Sequence, residues 1–153
     1  MSFNITNRMI GCRAIRTTNQ TIPWNAYTAI SFGTNTFENS VNGAIIHSTS
    51  VNPTRFTAPL DGKYLCFGQL EWSGANTDNT RLAVWRINGT FVRASPYLSY
   101  QGDSTGVFEN AQEVFSLLKD DYVELLAYED ASGSVPLDVI ANGCWASFVL
   151  LGN

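Results

Sequence analysis

The 153-residue chain reads as an all-β protein. Three observations predict this. Short runs rich in Val, Ile, Thr, Tyr, Phe and Trp recur between clusters of Gly, Asn, Asp and Pro. Helix signals are nearly absent. Asn88-Gly89 joins two such runs, and this dipeptide supplies the positive φ that a type I′ hairpin turn needs at both central residues.

In chain order, strands are expected at Gly11 to Thr17, Tyr27 to Phe32, Thr54 to Thr57 and Lys63 to Trp72. Arg81 to Ile87, Thr90 to Tyr100, Gly106 to Leu117, Tyr122 to Tyr128 and Cys144 to Leu151 follow. Between the third and fourth, Pro59 and Asp61-Gly62 read as a turn that feeds a long buried strand. Asn42-Gly43 and Asn142-Gly143 mark two further tight turns. No internal repeat, linker, collagen-like stalk or heptad pattern interrupts the series. One domain over residues 11–153 is expected, preceded by a short arm, residues 1–10.

The long strand has a period of two. Tyr64, Cys66, Gly68, Leu70 and Trp72 share one face, which reads as core. Leu65, Phe67, Gln69 and Glu71 share the other, which starts apolar and turns polar. A strand apolar on both faces must be covered twice, so Leu65 and Phe67 point to a subunit interface. The closing run from Cys144 to Leu151 is apolar on both faces and supports the same inference.

Hydrophobic residues make up 44% of the chain and charged residues only 14%, against roughly 25% charged in ordinary soluble domains. Asn, Ser and Thr carry the polarity, a composition that suits a β-rich fibre or virion component. The net charge is −4, which argues against nucleic acid as a partner because phosphate binding needs a positive face. No apolar run approaches the roughly 18 residues of a membrane span, so no membrane insertion is expected. Met1 to Thr6 lacks the apolar region of an export signal, and assembly in a cytoplasm is the expectation. Eight of the nine basic residues precede residue 96, and nine of the thirteen acidic residues follow residue 95. Either the two halves interleave and neutralise each other, or a basic N-terminal arm with Arg8, Arg13 and Arg16 docks on an acidic partner.

Cys12, Cys66 and Cys144 are odd in number and have no zinc spacing. Each lies in an apolar run and reads as a small buried hydrophobe. His47 is the lone histidine, so any Ser-His-Asp or Cys-His arrangement would have to use it. It sits in a Ser/Thr/Asn stretch with no nucleophile elbow nearby, and a packing role is expected, with no catalytic residue in the chain. Asp120-Asp121 and Glu129-Asp130 are adjacent pairs, whose side chains point to opposite faces of a strand and make no paired-carboxylate site. Trp24, Trp85, Tyr97 and Tyr100 are candidates for stacking against a sugar, with core packing as the competing role.

Phe56, Gly62 and Tyr64 stand at the spacing F-x5-G-x-Y. Leu117-Leu118-Lys119-Asp120-Asp121-Tyr122-Val123-Glu124-Leu125 follows, then Trp145-Ala146-Ser147-Phe148-Val149-Leu150. These three motifs, in this order, resemble the complement component 1q and tumour necrosis factor superfamily. The resemblance spans about residues 11–152. The chain departs from the pattern at Cys66, where Phe is usual, at Asp120, where Gly is usual, and at Thr49, where an aromatic is usual. Arg13-Ala14, Thr17-Thr18-Asn19-Gln20, Thr28-Ala29-Ile30-Ser31-Phe32 and the run from His47 to Pro59 resemble the bacterial and bacteriophage branch of that superfamily.

The resemblance implies a ten-stranded jelly-roll β-sandwich that assembles as a homotrimer and binds through its surfaces without catalysis. It places Leu65, Phe67, Gln69 and Trp145 on the threefold axis, with Tyr64, Cys66 and Phe148 in the core. It implies a virion structural protein at the particle surface, either a capsid decoration or a head fibre. Such a protein would attach to a capsid or fibre-shaft protein through Arg8, Arg13 and Arg16. The alternative is a fibre tip that binds a receptor or cell-surface glycan, with Trp85, Tyr97 and Tyr100 as contacts. No cofactor is expected. Some family members bind calcium, for which Asp103, Asp130 and Asp138 are loop candidates, although no 12-residue calcium loop is present.

Overall fold

The computed structural model describes residues 9–73, 79–94, 98–100, 107–130 and 137–152. Among these residues thirteen antiparallel strand segments build two facing sheets. The first sheet contains β1 (Gly11–Ile15), β2 (Gln20–Ile22), β4 (Thr34–Asn39), β6 (Gly62–Trp72), β10 (Val107–Leu117), β12 (Leu137–Val139) and β13 (Trp145–Gly152). The second contains β3 (Thr28–Ala29), β5 (Arg55–Thr57), β7 (Asn79–Ile87), β8 (Thr90–Ala94), β9 (Leu98–Tyr100) and β11 (Tyr122–Glu129). β8 and β9 both pair with β7. The all-β jelly-roll sandwich expected from the sequence is the observed fold.

β6 organises the first sheet. Along one edge it pairs with β10 over eleven register positions without a shift. Its other edge meets β13 from Lys63 to Gln69, and β12 at Trp72. β1 continues outward from β13, and β4 closes that side. In the second sheet, β11 lies between β7 on one side and β3 and β5 on the other.

The alternation of β6 explains the core. Tyr64, Cys66, Leu70 and Trp72 are fully buried between the sheets, with Phe148, Phe56, Phe32 and Leu125. Tyr64 stacks on Phe148 with ring centroids 4.5 Å apart, and its hydroxyl donates to the Leu60 carbonyl at 2.8 Å. Phe148 stands opposite Cys66 in register and supplies volume that the small thiol does not. Gly68 is required by close approach: a Cβ there would come within 2.6 Å of a Leu125 methyl.

Turn chemistry follows the sequence where backbone freedom demands it. Asn88 and Gly89 have φ of 48° and 79°, the paired positive values of a type I′ turn. Asn42 and Gly43 have 52° and 71°. Asp120, which stands where the resemblance leads one to expect glycine, has φ of 72°. The position therefore keeps the left-handed conformation, and Asp tolerates it better than most side chains.

Three strands escape the sequence reading: β2, β4 and β12. β4, with sequence TNTFEN, is polar and pairs only with β1, so it has no two-faced burial to mark it. Conversely, of the expected strand from Tyr27 to Phe32 only Thr28–Ala29 pairs as strand.

The uneven charge of the chain resolves by interleaving. In the β7–β11 pair, Arg86 stands opposite Glu124 and Arg81 opposite Glu129. The Arg86 guanidinium donates twice to Glu124 Oε2, at 2.9 and 2.6 Å. Among the described residues no helix is long and apolar enough to cross a membrane.

Candidate subunit interface on the outer face of the first sheet

Alternation that buries Tyr64 and Cys66 turns Leu65, Phe67 and Gln69 to the opposite face of β6. Antiparallel register then aligns residues from five strands into rows across that outer face. One row runs Phe37, Arg13, Ser147, Phe67, Gln112. A second runs Gly11, Val149, Leu65, Val114. A third runs Thr34, Ile15, Trp145, Gln69, Asn110. Leu65, Phe67, Gln69 and Trp145, the expected axial residues, are thus brought together on one surface. The register adds Phe37, Val149 and Val114, which sequence reasoning missed. Val114 was findable, since it lies two residues from Gln112 in a strand of period two. Phe37 was not, because its strand is otherwise polar.

These side chains are half-buried or exposed, and nothing from the chain's other sheet packs over them. Val114 and Phe108, both on the outward side of edge strand β10, are 47% and 52% exposed. Phe67 stacks on Trp145, centroids 5.1 Å apart. The Arg13 guanidinium lies over the Trp145 ring, 4.4 Å from its centroid. The Gln69 amide donates to the Gly143 carbonyl at 3.1 Å, which fixes it at the polar end of the patch. The face therefore offers a preorganised aromatic and aliphatic surface with one cation set into it. Arg13 is held by an attraction of about 0.5–2 kcal/mol, and among the described residues no carboxylate pairs with it.

Other expected site residues are placed differently. Arg16 is not an anchoring cation. It is 7% exposed, and its guanidinium donates to Gln20 Oε1 at 2.7 Å, to the Asn19 carbonyl at 3.0 Å and to the Ser31 carbonyl. These bonds tie the start of β2 to the segment after β3, because a buried guanidinium must satisfy its donors internally. Arg13 belongs to the sheet face and not to a free arm, while Arg8 lies outside the described residues. Trp85 offers no sugar-stacking surface: it is buried in the core, with its indole N–H donating to the Ala111 carbonyl at 3.2 Å. Tyr97 lies outside the described residues, as does the Tyr100 side chain.

His47 is buried and stacks on Phe56 at 4.8 Å. Its Nδ1 meets Asn35 Oδ1 at 2.5 Å and its Nε2 meets the Pro53 carbonyl at 3.1 Å. Both ring nitrogens are thus engaged in packing the β4–β5 connection. Burial pushes its pKa down, against the pull of the Pro53 carbonyl and Glu38. All three cysteines are buried and free. Burial pushes the Cys12 thiol up to about 12 and the Cys66 and Cys144 thiols upward as well, so none is an activated nucleophile. Asp130 accepts the Thr80 amide at 2.6 Å. Among the described residues no group of three or more His, Cys, Asp or Glu is placed to hold a metal ion. Asp103 and the Asp138 side chain lie outside them.

No family model matches the chain, and no curated protein does. Among solved structures, the chain is similar to the globular domain of zebrafish complement 1qA protein. That match has a TM-score of 0.59 and 15% identity, and covers 95% of this chain and all of that one. It is also similar to murine APRIL in crystal structures at pH 8.0 and 8.5. Those matches have TM-scores of 0.58 and 0.57 and identities of 12% and 13%, each covering 94% of this chain and 100% of the other. At such identities the likeness establishes the fold, a complement 1q/tumour necrosis factor-like jelly roll.

Proposed function

We propose that this chain is a non-enzymatic homotrimeric binding domain, and that it serves as a virion structural protein. The observation that carries the trimer is the outer face of the first sheet. Phe67, Trp145, Leu65, Val149 and Val114 form one apolar surface that no other described residue of the chain covers. Covering such a surface with further copies contributes on the order of 1.5–3 kcal/mol for each large side chain removed from water. A ring of three copies needs two complementary patches on each subunit. The Phe67–Trp145 region of the face, and Phe108 with Val114 on the outward side of β10 at its margin, supply such a pair.

As a virion component, the trimer is a capsid decoration or head-fibre protein at the particle surface. Its partner is a capsid or fibre-shaft protein, reached through the N-terminal arm. The low charge and Asn/Ser/Thr-rich polarity support this role. With Arg13 and Arg16 committed to the domain, Arg8 is the arginine left for that attachment. A decoration protein stabilises a shell because it binds the assembled state and bridges neighbours.

The test is Phe67→Asp. A carboxylate at the centre of the apolar face, three times over around one axis, should break the assembly, read as the molar mass by light scattering. Unchanged assembly in that variant contradicts the axial role of this face.

The second reading, a fibre-tip head that binds a cell-surface glycan, is favoured by one observation on the opposite side of the molecule. Trp24 and Tyr27 are exposed there.

A further inference from the structure

Of the residues expected from the sequence to stack against a sugar, Trp24 is exposed, and Tyr27, three residues on, is exposed with it beside the outer face of the second sheet. In β11, Leu126 and Tyr128 point outward, away from the buried Leu125 and Ala127. Leu126, Leu82 and Val84 form a small apolar cluster there, packed by Ala29 and Tyr128. The segment 23–29 runs beside this cluster. Trp24 and Tyr27 on that segment are 45% and 44% exposed.

This segment is fastened at three points. Thr28 and Ala29 pair with Ala127 and Leu126. The Asn25 amide N–H donates to the Glu129 carbonyl at 2.8 Å, and the Tyr128 hydroxyl donates to Asn25 Oδ1 at 2.7 Å. Asn25 takes φ of 54°, a left-handed turn between Trp24 and Tyr27. Tyr27 in turn stacks on Tyr128, ring centroids 4.6 Å apart. The aromatic surface is therefore built before any ligand arrives, which lowers the ordering cost of binding.

We infer that Trp24, Asn25, Tyr27 and Tyr128 form a binding site for a neutral pyranose sugar. The chemistry of the patch selects this class. The negative face of an aromatic ring attracts the polarised C–H face of a pyranose. With its oxygen accepting from Tyr128, the exposed Asn25 side chain has two amide N–H donors suited to sugar hydroxyls. From Thr17 to Phe37 the chain carries no charged residue. An aromatic hot spot for protein is typically accompanied by Arg, and an acidic sugar would call for a cation. The patch lies on the side of the sandwich opposite Phe67 and Trp145, so a trimer formed through the first sheet leaves three copies open. Weak single sites then combine by avidity.

This inference rests on the glycan-binding reading, and one experiment separates the two. Saturation-transfer NMR is run on the whole chain with millimolar methyl glycosides of glucose, galactose, mannose and N-acetylglucosamine. Transfer to one C–H face of at least one probe is expected. It should weaken about tenfold or more in Trp24→Ala and in Tyr27→Ala, and persist in Trp24→Phe, which keeps an aromatic face. A near-native amide spectrum checks that each variant folds. Transfer that survives both alanine variants overturns this site and leaves the glycan reading standing. No transfer to any probe overturns both.

Discussion

Phe67 stacks on Trp145 across the β6–β13 pair, with ring centroids 5.1 Å apart and 22° between the planes. The two are diagonal neighbours, because Phe67 stands opposite Ser147 and Trp145 opposite Gln69. Diagonal pairs on one face are within reach of aromatic side chains. A double-mutant cycle with Phe67→Ala and Trp145→Ala, read by denaturant unfolding of the assembly, should give a coupling of about 0.5–1.5 kcal/mol. Each single variant should also weaken association, visible as a protein-concentration dependence of the unfolding midpoint. A coupling near zero means that the stack contributes nothing beyond separate burial.

Arg16 separates a structural cation from an anchoring one. Its guanidinium is buried and bonded to Gln20, Asn19 and Ser31. Arg16→Ala strands the Ser31 and Asn19 carbonyls, and hydrogen bonds to charged groups are worth roughly 1.5–3 kcal/mol. Urea unfolding of Arg16→Ala should show a loss of at least that size. A variant of native stability contradicts the assignment.

Asp120 holds φ of 72° at an exposed turn. Its contact with Lys119 is a surface pair of little worth. Removing the Cβ relieves a left-handed conformation that costs other residues roughly 1–2 kcal/mol and Asp somewhat less. Asp120→Gly should therefore be neutral to stabilising, by up to about 1 kcal/mol, with an unchanged state of assembly. A clear destabilisation would show that the Asp120 side chain does more than occupy the turn.

Glu109 gives the fold a pH signature. It is buried on the inner side of β10, and burial raises its pKa to about 7, against the pull of Arg81. The folded state thus holds the proton more tightly than the unfolded chain, whose carboxyl titrates near 4.5. This contribution is fully present below about pH 4.5 and is lost as pH rises through about 7. His47 acts in the opposite sense: its lowered pKa means stability present above about 6.5 and lost as pH falls. Glu109→Gln should remove the first trend only. The stability difference, variant minus wild type, should grow from pH 5 to pH 7.5. A difference that is flat over this range contradicts the burial of a protonated Glu109.

The long strands were legible because burial imposes a period of two on β6 and β13, and Asn-Gly marks the β7–β8 hairpin. The apolar outer face was legible for the same reason: Leu65 and Phe67 alternate with Tyr64 and Cys66 along β6. β4 was illegible because its inward residues are polar. Asn35 and Glu38 bond to the His47 region, with Glu38 Oε1 accepting the Ile46 amide at 2.6 Å. Its only outward apolar signal is Phe37. Trp85 and Arg16 were misread for a shared reason. Each has a polar tip compatible with the surface, and each finds its partner only after folding, at Ala111 and at Ser31. The fastened aromatic turn at Trp24 depends likewise on Tyr128, more than a hundred residues away in sequence.

The central claim is that the outer face of the first sheet joins three copies of this chain. Its most direct test is the mass of the folded wild-type protein in dilute solution, by sedimentation equilibrium over a range of concentrations. The account predicts three times the chain mass of 16.8 kDa, persisting on dilution. A folded species with the mass of a single chain would contradict it.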